Sequence, residues 1–180
     1  MIRFHEHNPE VLYASDPIVQ VDRADVEAMV ARAEQNPRRR IRLCAHKDTR
    51  DTLHEMLIVH TSDTYVRPHK HLAKSEAFHI ISGTVDVVLF DEAGKIVALV
   101  PMGDYASGRK FYYRLADPLY HTLLIHSNRL VFHEITNGPF DRADTLFAPW
   151  SPEIDDGDGA REFMKKLADE VQLLMARGLR

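Results

Sequence analysis

From Arg40 to Thr136 the chain is a succession of short β-rich runs broken by turn residues, with no helical stretch between them. The runs are Ile41 to Ala45, Leu53 to Thr61, Tyr65 to Arg67, Ala77 to Ile81, Val85 to Phe90, Ile96 to Val100, Phe111 to Leu115, Thr122 to His126 and Arg129 to Ile135. Ser82-Gly83, Asp91-Glu92-Ala93-Gly94 and Ser127-Asn128 read as hairpin connections, because Gly and Asn tolerate the positive φ of such turns. Consecutive hairpins imply antiparallel pairing, and the lack of interposed helices argues against a parallel α/β sheet. The expected core is all-β, a sandwich or barrel.

An amphipathic helix is expected on each side of this region. Asp22 to Gln35 carries Val26, Met29, Val30 and Ala33 at helical spacing, with Asp22 as N-cap and Asn36-Pro37 as the stop. After an irregular stretch with Pro149, Trp150, Pro152 and Asp155-Asp156-Gly157-Asp158, the residues Phe163, Leu167, Val171 and Leu174 recur every three or four positions. This C-terminal helix is expected to cover part of the core or a neighbouring subunit.

Composition narrows the function classes. A chain of 180 residues with 44% apolar and 28% charged content fits one globular domain, and no apolar run approaches the roughly 18 residues of a membrane span. The N-terminus Met1-Ile2-Arg3-Phe4-His5-Glu6-His7 lacks the features of a secretory signal, so a cytoplasmic location is the default expectation. A single cysteine, Cys44, excludes an intramolecular disulfide and a Cys-rich zinc site, which leaves imidazole and carboxylate as metal ligands.

A net charge of −4 offers nucleic acid no broad attraction. The Arg38-Arg39-Arg40 cluster with Arg42 reads as a solvated lead-in to a strand rather than a polyanion site. The N-terminal helix, with Asp22, Asp25, Glu27 and Glu34, is a poor groove reader. Neither nucleic acid nor membrane is an expected partner.

The chemistry-bearing stretch is Tyr65-Val66-Arg67-Pro68-His69-Lys70-His71, extended by composition. In a strand, positions two apart share a face, so His69 and His71 present their imidazoles side by side, and Tyr65 and Arg67 share their parity. Glu76 opens the next apolar run and supplies a carboxylate beside them. A fourth ligand comes from elsewhere, and His121 is the candidate because it opens a strand after Asp117-Pro118. His126 and His133 are the substitutes should His121 fail. His54 and His60 share a parity, so that one of them is a candidate to enter the cavity as a proton carrier, whereas His79 has the opposite parity from Glu76 and is expected to face away.

Pro68-His69-Lys70-His71-Leu72-Ala73-Lys74-Ser75-Glu76, with Gly83 beyond, resembles the first cupin motif, in which two His and one Glu bind metal ahead of a turn glycine. His121 matches the histidine of the second motif, although Ala116-Asp117-Pro118-Leu119-Tyr120-His121 has Ala and Pro where Pro and Gly are usual, and Ile125 stands where many cupins have Asn. The chain more closely resembles the WbuC-type cupin-fold metalloproteins, from Arg38-Arg39-Arg40-Ile41-Arg42 and His46 through Tyr65 to His71, Val88-Leu89-Phe90-Asp91-Glu92-Ala93-Gly94 and Gly138-Pro139-Phe140. That resemblance implies a cupin double-stranded β-helix, a jelly-roll barrel, over 38–140. An N-terminal segment with its helix (1–37) and a C-terminal loop and helix (141–180) flank it. It also implies a homodimer.

A site of three imidazoles and one carboxylate suits one divalent transition-metal ion, with Fe, Mn, Ni, Co and Zn all compatible. Such an ion suits an isomerase, epimerase or oxygenase acting on a small polar molecule. Association of the WbuC family with surface-polysaccharide gene clusters implies a sugar or nucleotide-sugar substrate. Tyr65, Arg67 and Tyr120 are the substrate-contact candidates, Arg67 as a clamp for an anionic group. The competing expectation is a non-catalytic module that binds metal or a small ligand.

Overall fold

The computed structural model describes residues 2–178. Twelve strands are formed: β1 (Phe4–Asn8), β2 (Val11–Ala14), β3 (Arg40–Cys44), β4 (Leu53–Thr61), β5 (His69–His71), β6 (Glu76–Ser82), β7 (Thr84–Phe90), β8 (Ile96–Gly103), β9 (Tyr112–Leu115), β10 (Tyr120–Ile125), β11 (Arg129–Asn137) and β12 (Thr145–Phe147). Helix α1 (Arg23–Ala33) lies between β2 and β3, and helix α2 (Gly157–Ala176) ends the fold.

Hydrogen bonding joins the strands into two sheets rather than one closed ring. The larger has the order β1-β2-β3-β4-β11-β6-β9 and the smaller β12-β5-β10-β7-β8. All the pairings are antiparallel except β2 with β3. Alternation along each strand decides what lies between the sheets. From the large sheet Met56, Ile58, Phe78, Ile80, Leu130 and Phe132 point inward, and from the small sheet Val85, Val87, Leu89 and Leu123 meet them in one buried cluster.

The outward faces are covered separately. On the large sheet, Leu12, Ile41, Leu43, Val59 and Val131 pack under Met29, Val30 and Ala33 of α1. That helix begins with a capping box in which the Asp22 side chain accepts from the Asp25 N–H and the Asp25 carboxylate accepts from the Asp22 N–H. On the small sheet, Val88, Phe90, Leu99 and Tyr120 pack against Leu167 and Val171 of α2. The C-terminal helix therefore covers its own chain's core.

The hairpin between β6 and β7 turns at Gly83, whose φ of 98° lies in the left-handed region. A Cβ there would sit 2.4 Å from the Arg129 carbonyl oxygen, so the turn also needs the missing side chain.

Two expectations change. Residues 65–67 form no ladder, and the strand carrying the histidines is only His69 to His71. β1, β2 and β12 are additional strands, the first two widening the large sheet from within the N-terminal segment.

Candidate metal centre

The three histidines converge because of strand register. β5 holds His69 and His71 on one face, and His121 of β10 lies directly across from His69 in the antiparallel ladder. One ligand nitrogen from each of the three lies within 4.8 Å of the other two. Glu76 arrives from the opposite sheet at the start of β6. Its Oε1 is 2.9 Å from His121 Nε2 and its Oε2 is 3.5 Å from His71 Nε2.

Each imidazole is held by its other nitrogen. Nδ1 of His69 is 2.9 Å from the Arg67 carbonyl, Nδ1 of His121 is 3.1 Å from the Leu119 carbonyl, and Nδ1 of His71 is 3.2 Å from the Thr145 hydroxyl. A carbonyl oxygen can only accept, so Nδ1 of His69 and His121 carries the proton and Nε2 is left with a lone pair. This is the arrangement by which proteins orient imidazole ligands.

Glu76 is 3% exposed and His121 1%, while His69 and His71 are half-buried, so the Glu76–His121 side of the centre is withdrawn from bulk solvent. Although His121 Nε2 and Glu76 Oε1 are close, they are not aligned for a hydrogen bond, and both atoms are left unsatisfied. Two buried, unpaired polar atoms facing each other are costly in a folded protein. A divalent cation between them satisfies both, so the donor set fits a transition metal.

The electrostatics agree. Burial, then the charges of His121 and His71, pull His69 to a pKa of about 3, keeping it in the neutral, ligating form. For Glu76, burial works to raise the carboxyl, but His121 with its charge and hydrogen-bonding capacity, then His71 and His69, hold it well below the usual range. Burial disfavours the charged form of His121 too, yet Glu76 outweighs it and raises the imidazole.

The centre opens into a cavity of about 430 Å³ between the sheets, lined by Met56, Ile58, Phe78, Leu123 and Phe132 together with polar groups. The lining includes His54 and His60, as their parity implied, and also His46, stacked on His54 with ring centroids 4.1 Å apart. Glu134 of β11 lines it as well, and burial, then the charge of Glu76, raises its carboxyl to about 7. Sequence reasoning passed over Glu134, although its parity with Leu130 and Phe132 on an apolar strand was the available signal. Tyr113 places a buried hydroxyl with no hydrogen-bond partner near Glu76, and burial, then that carboxylate, raises its pKa.

The substrate-contact candidates lie elsewhere. Tyr65 donates to the Pro152 carbonyl at 3.0 Å. Arg67 binds Ser151 and Glu153 and sits over the Phe147 ring. Tyr120 packs on Trp150 on the outer face of β10, opposite in parity to His121, under the Lys70 ammonium. The strand parity that grouped Tyr65 and Arg67 with the histidines does not carry through 65–67, which is outside the ladder, and Val66 is the residue that faces the cavity. Of the alternative ligands, His126 pairs with Asp86 at 2.8 Å and His133 is paired in register with His79 on the outer face of the large sheet.

A family model described as a domain of unknown function, DUF6016, matches residues 21–102, under half of the chain. No curated protein matches. Among solved structures, salicylate 1,2-dioxygenase from Pseudoaminobacter salicylatoxidans, as a mutant with gentisate, aligns with a TM-score of 0.52 at 10% identity, over 72% of this chain and 37% of that one. A Shewanella oneidensis protein aligns with a TM-score of 0.47 at 11% identity, over 57% of this chain and 66% of that one. Oxalate decarboxylase from Bacillus subtilis gives a TM-score of 0.43 at 17% identity, over 54% of this chain and 24% of that one. The chain thus spans about a quarter to two thirds of the length of these structures. The fold is cupin-like, two facing sheets with a three-histidine cluster suited to a metal ion. No helix among the described residues is long and apolar enough to cross a membrane.

Proposed function

We propose that the protein is a metal-dependent cupin enzyme in which His69, His71, Glu76 and His121 hold one divalent transition-metal ion and a small polar substrate enters the adjoining cavity. The observation carrying this reading is the pair of buried, unsatisfied atoms, His121 Nε2 and Glu76 Oε1, facing each other beside two further imidazoles. In this reading 38–140 is a jelly-roll unit of the WbuC type, 1–37 and 141–180 flank it, and two copies pair as a homodimer.

A bound ion of this kind polarises a substrate carbonyl or hydroxyl. The residues around it orient and protect. The backbone carbonyls behind His69 and His121 fix their tautomers, the apolar walls limit water, and Glu134 offers a carboxyl poised near neutrality to hold or move a proton. The chemistry favoured is isomerisation, epimerisation or oxygenation, with a sugar or nucleotide-sugar as the substrate class to try first.

Elemental analysis of purified protein tests the site. Stoichiometric metal is expected in the wild type and loss in His69→Ala and His121→Ala, with retention in both variants refuting it. Turnover is tested by offering metal-replete protein a panel of sugar-nucleotides, keto acids and aromatic acids under mass-spectrometric detection. Tight ligand binding with no conversion would replace the enzyme by a binding module.

A further inference from the structure

The arginines of the Arg38 to Arg42 cluster are solvated, with Arg38, Arg39 and Arg42 exposed and Arg40 half-buried, but three of them also border a cavity. Arg38, Arg40 and Arg42 turn onto the same cavity as the metal centre, alternate residues of one strand and its approach. From these positions we propose that the cavity's mouth is an anion subsite, built on Arg42 and Arg40, that grips a carboxylate or phosphate group at the end of the substrate remote from the metal. This rests on the cavity being the substrate site, and it names the class of molecule that site takes.

The charge balance at this end of the cavity carries the argument. Arg38 and Arg40 share a single carboxylate, Glu10, at 2.5 and 3.1 Å. The Arg42 guanidinium makes no hydrogen bond or ion pair among the described residues, and its nearest carboxylate influence is on Glu134, further in. Three cations against Glu10, with Glu134 further in and raised to about 7, leave a surplus of positive charge at this end of the cavity. Burial, then the charge of Arg38, lowers the Arg40 guanidinium even with Glu10 beside it. Structure alone explains Arg38 and Arg40, which tie the β1–β2 hairpin to β3 through Glu10. It gives Arg42 no such task.

Register separates the two ends. Arg42 pairs with Ile58, Ile58 with Phe132, and Glu76 lies two strands and two inward rows from Ile58. On a flat sheet this puts the Arg42 and Glu76 Cα atoms roughly 20 Å apart. With both side chains reaching inward, the gap suits an elongated small metabolite with a charged end rather than an anion seated on the metal itself. Guanidinium geometry matches the paired oxygens of either anion.

The test is calorimetric titration at low salt with inorganic phosphate, acetate and neutral acetamide. The proteins are wild type, Arg42→Gln, Arg40→Gln and His69→Ala, each with its metal content measured. An anion is expected to bind where acetamide does not, about tenfold or more weaker in Arg42→Gln at unchanged metal content, and to keep binding in His69→Ala. The tighter of phosphate and acetate assigns the charged end as phosphoryl or carboxyl. Binding that disappears in His69→Ala but survives Arg42→Gln would put the anion on the metal and overturn the proposal, as would equal binding of acetamide. Wild type without metal but with Arg42-dependent anion binding would sink the metal reading and leave this one standing.

Discussion

At the centre, the chain occupies one nitrogen of each imidazole and leaves the other over. For His69 and His121 the occupying partner is a backbone carbonyl, which no side-chain substitution removes, but His71 depends on the Thr145 hydroxyl. Thr145→Val keeps the shape and deletes the partner, so metal affinity should fall about 10- to 100-fold, measured by chelator competition. An unchanged affinity would show that His71 is oriented by packing alone. Local spacing made His69, His71 and Glu76 legible in the sequence, since two strand positions and a nearby carboxylate need no long-range information. The clamps behind them were not legible, because carbonyls of Arg67 and Leu119 have no sequence signature.

His60 permits a test of stability against pH. Burial, then the charge of Arg40, lowers its pKa from 6.5 to about 3, and its Nδ1 has no partner. The folded state therefore refuses a proton that the unfolded chain accepts. Stability contributed by neutral His60 is complete above pH 6.5 and is lost as pH falls toward about 3, by up to about 1.4 kcal/mol per pH unit. His60→Leu should flatten that slope in denaturant titrations between pH 7 and 4, with little change at pH 8. Equal slopes in both proteins would refute the assignment.

Among the elements, those with a clear apolar period were readable and those without one were not. β4 runs from Leu53 to Thr61 as its composition implied, because His54, Met56, Ile58 and His60 alternate against Leu57 and Val59. β1 is exposed at all five positions and carries no burial pattern to detect, while β12 is a three-residue strand fixed only by pairing with β5. The C-terminal helix was legible from Phe163, Leu167, Val171 and Leu174, and its seat is the outer face of the small sheet. Leu167 is 4% exposed there, so Leu167→Ala should cost about 2–5 kcal/mol of unfolding free energy in urea. A loss under 1 kcal/mol would mean that the helix docks elsewhere in solution. The β7–β8 turn is locked to the same layer: Gly94 has φ of 85°, and a Cβ on it would lie 2.9 Å from the Trp150 ring. Gly94→Ala should therefore destabilise by about 1–3 kcal/mol and disturb Trp150 fluorescence together with stability.

Across the whole molecule, the proposed metal site spans the two sheets. His69, His71 and His121 belong to the small sheet and Glu76 to the large one, whereas hydrogen-bonded ladders run only within each sheet. Elsewhere the sheets face each other through the apolar cluster, and about 430 Å³ of cavity interrupts the packing between them. An ion held by both sheets as proposed would bind only the folded state, since the unfolded chain separates Glu76 from His121, and its binding would add directly to stability. At a free metal concentration one hundred times the dissociation constant the gain is about 2.7 kcal/mol. For a chain of this length that corresponds to a melting temperature higher by roughly 5–10 °C, reversed by chelation. Glu76→Gln should shrink the shift, because the ion then loses its charged attachment to the large sheet while keeping three imidazoles on the small one. His69→Ala should abolish it. A shift of equal size in wild type and Glu76→Gln would mean that the ion is held by the small sheet alone and does not bridge the two halves of the fold.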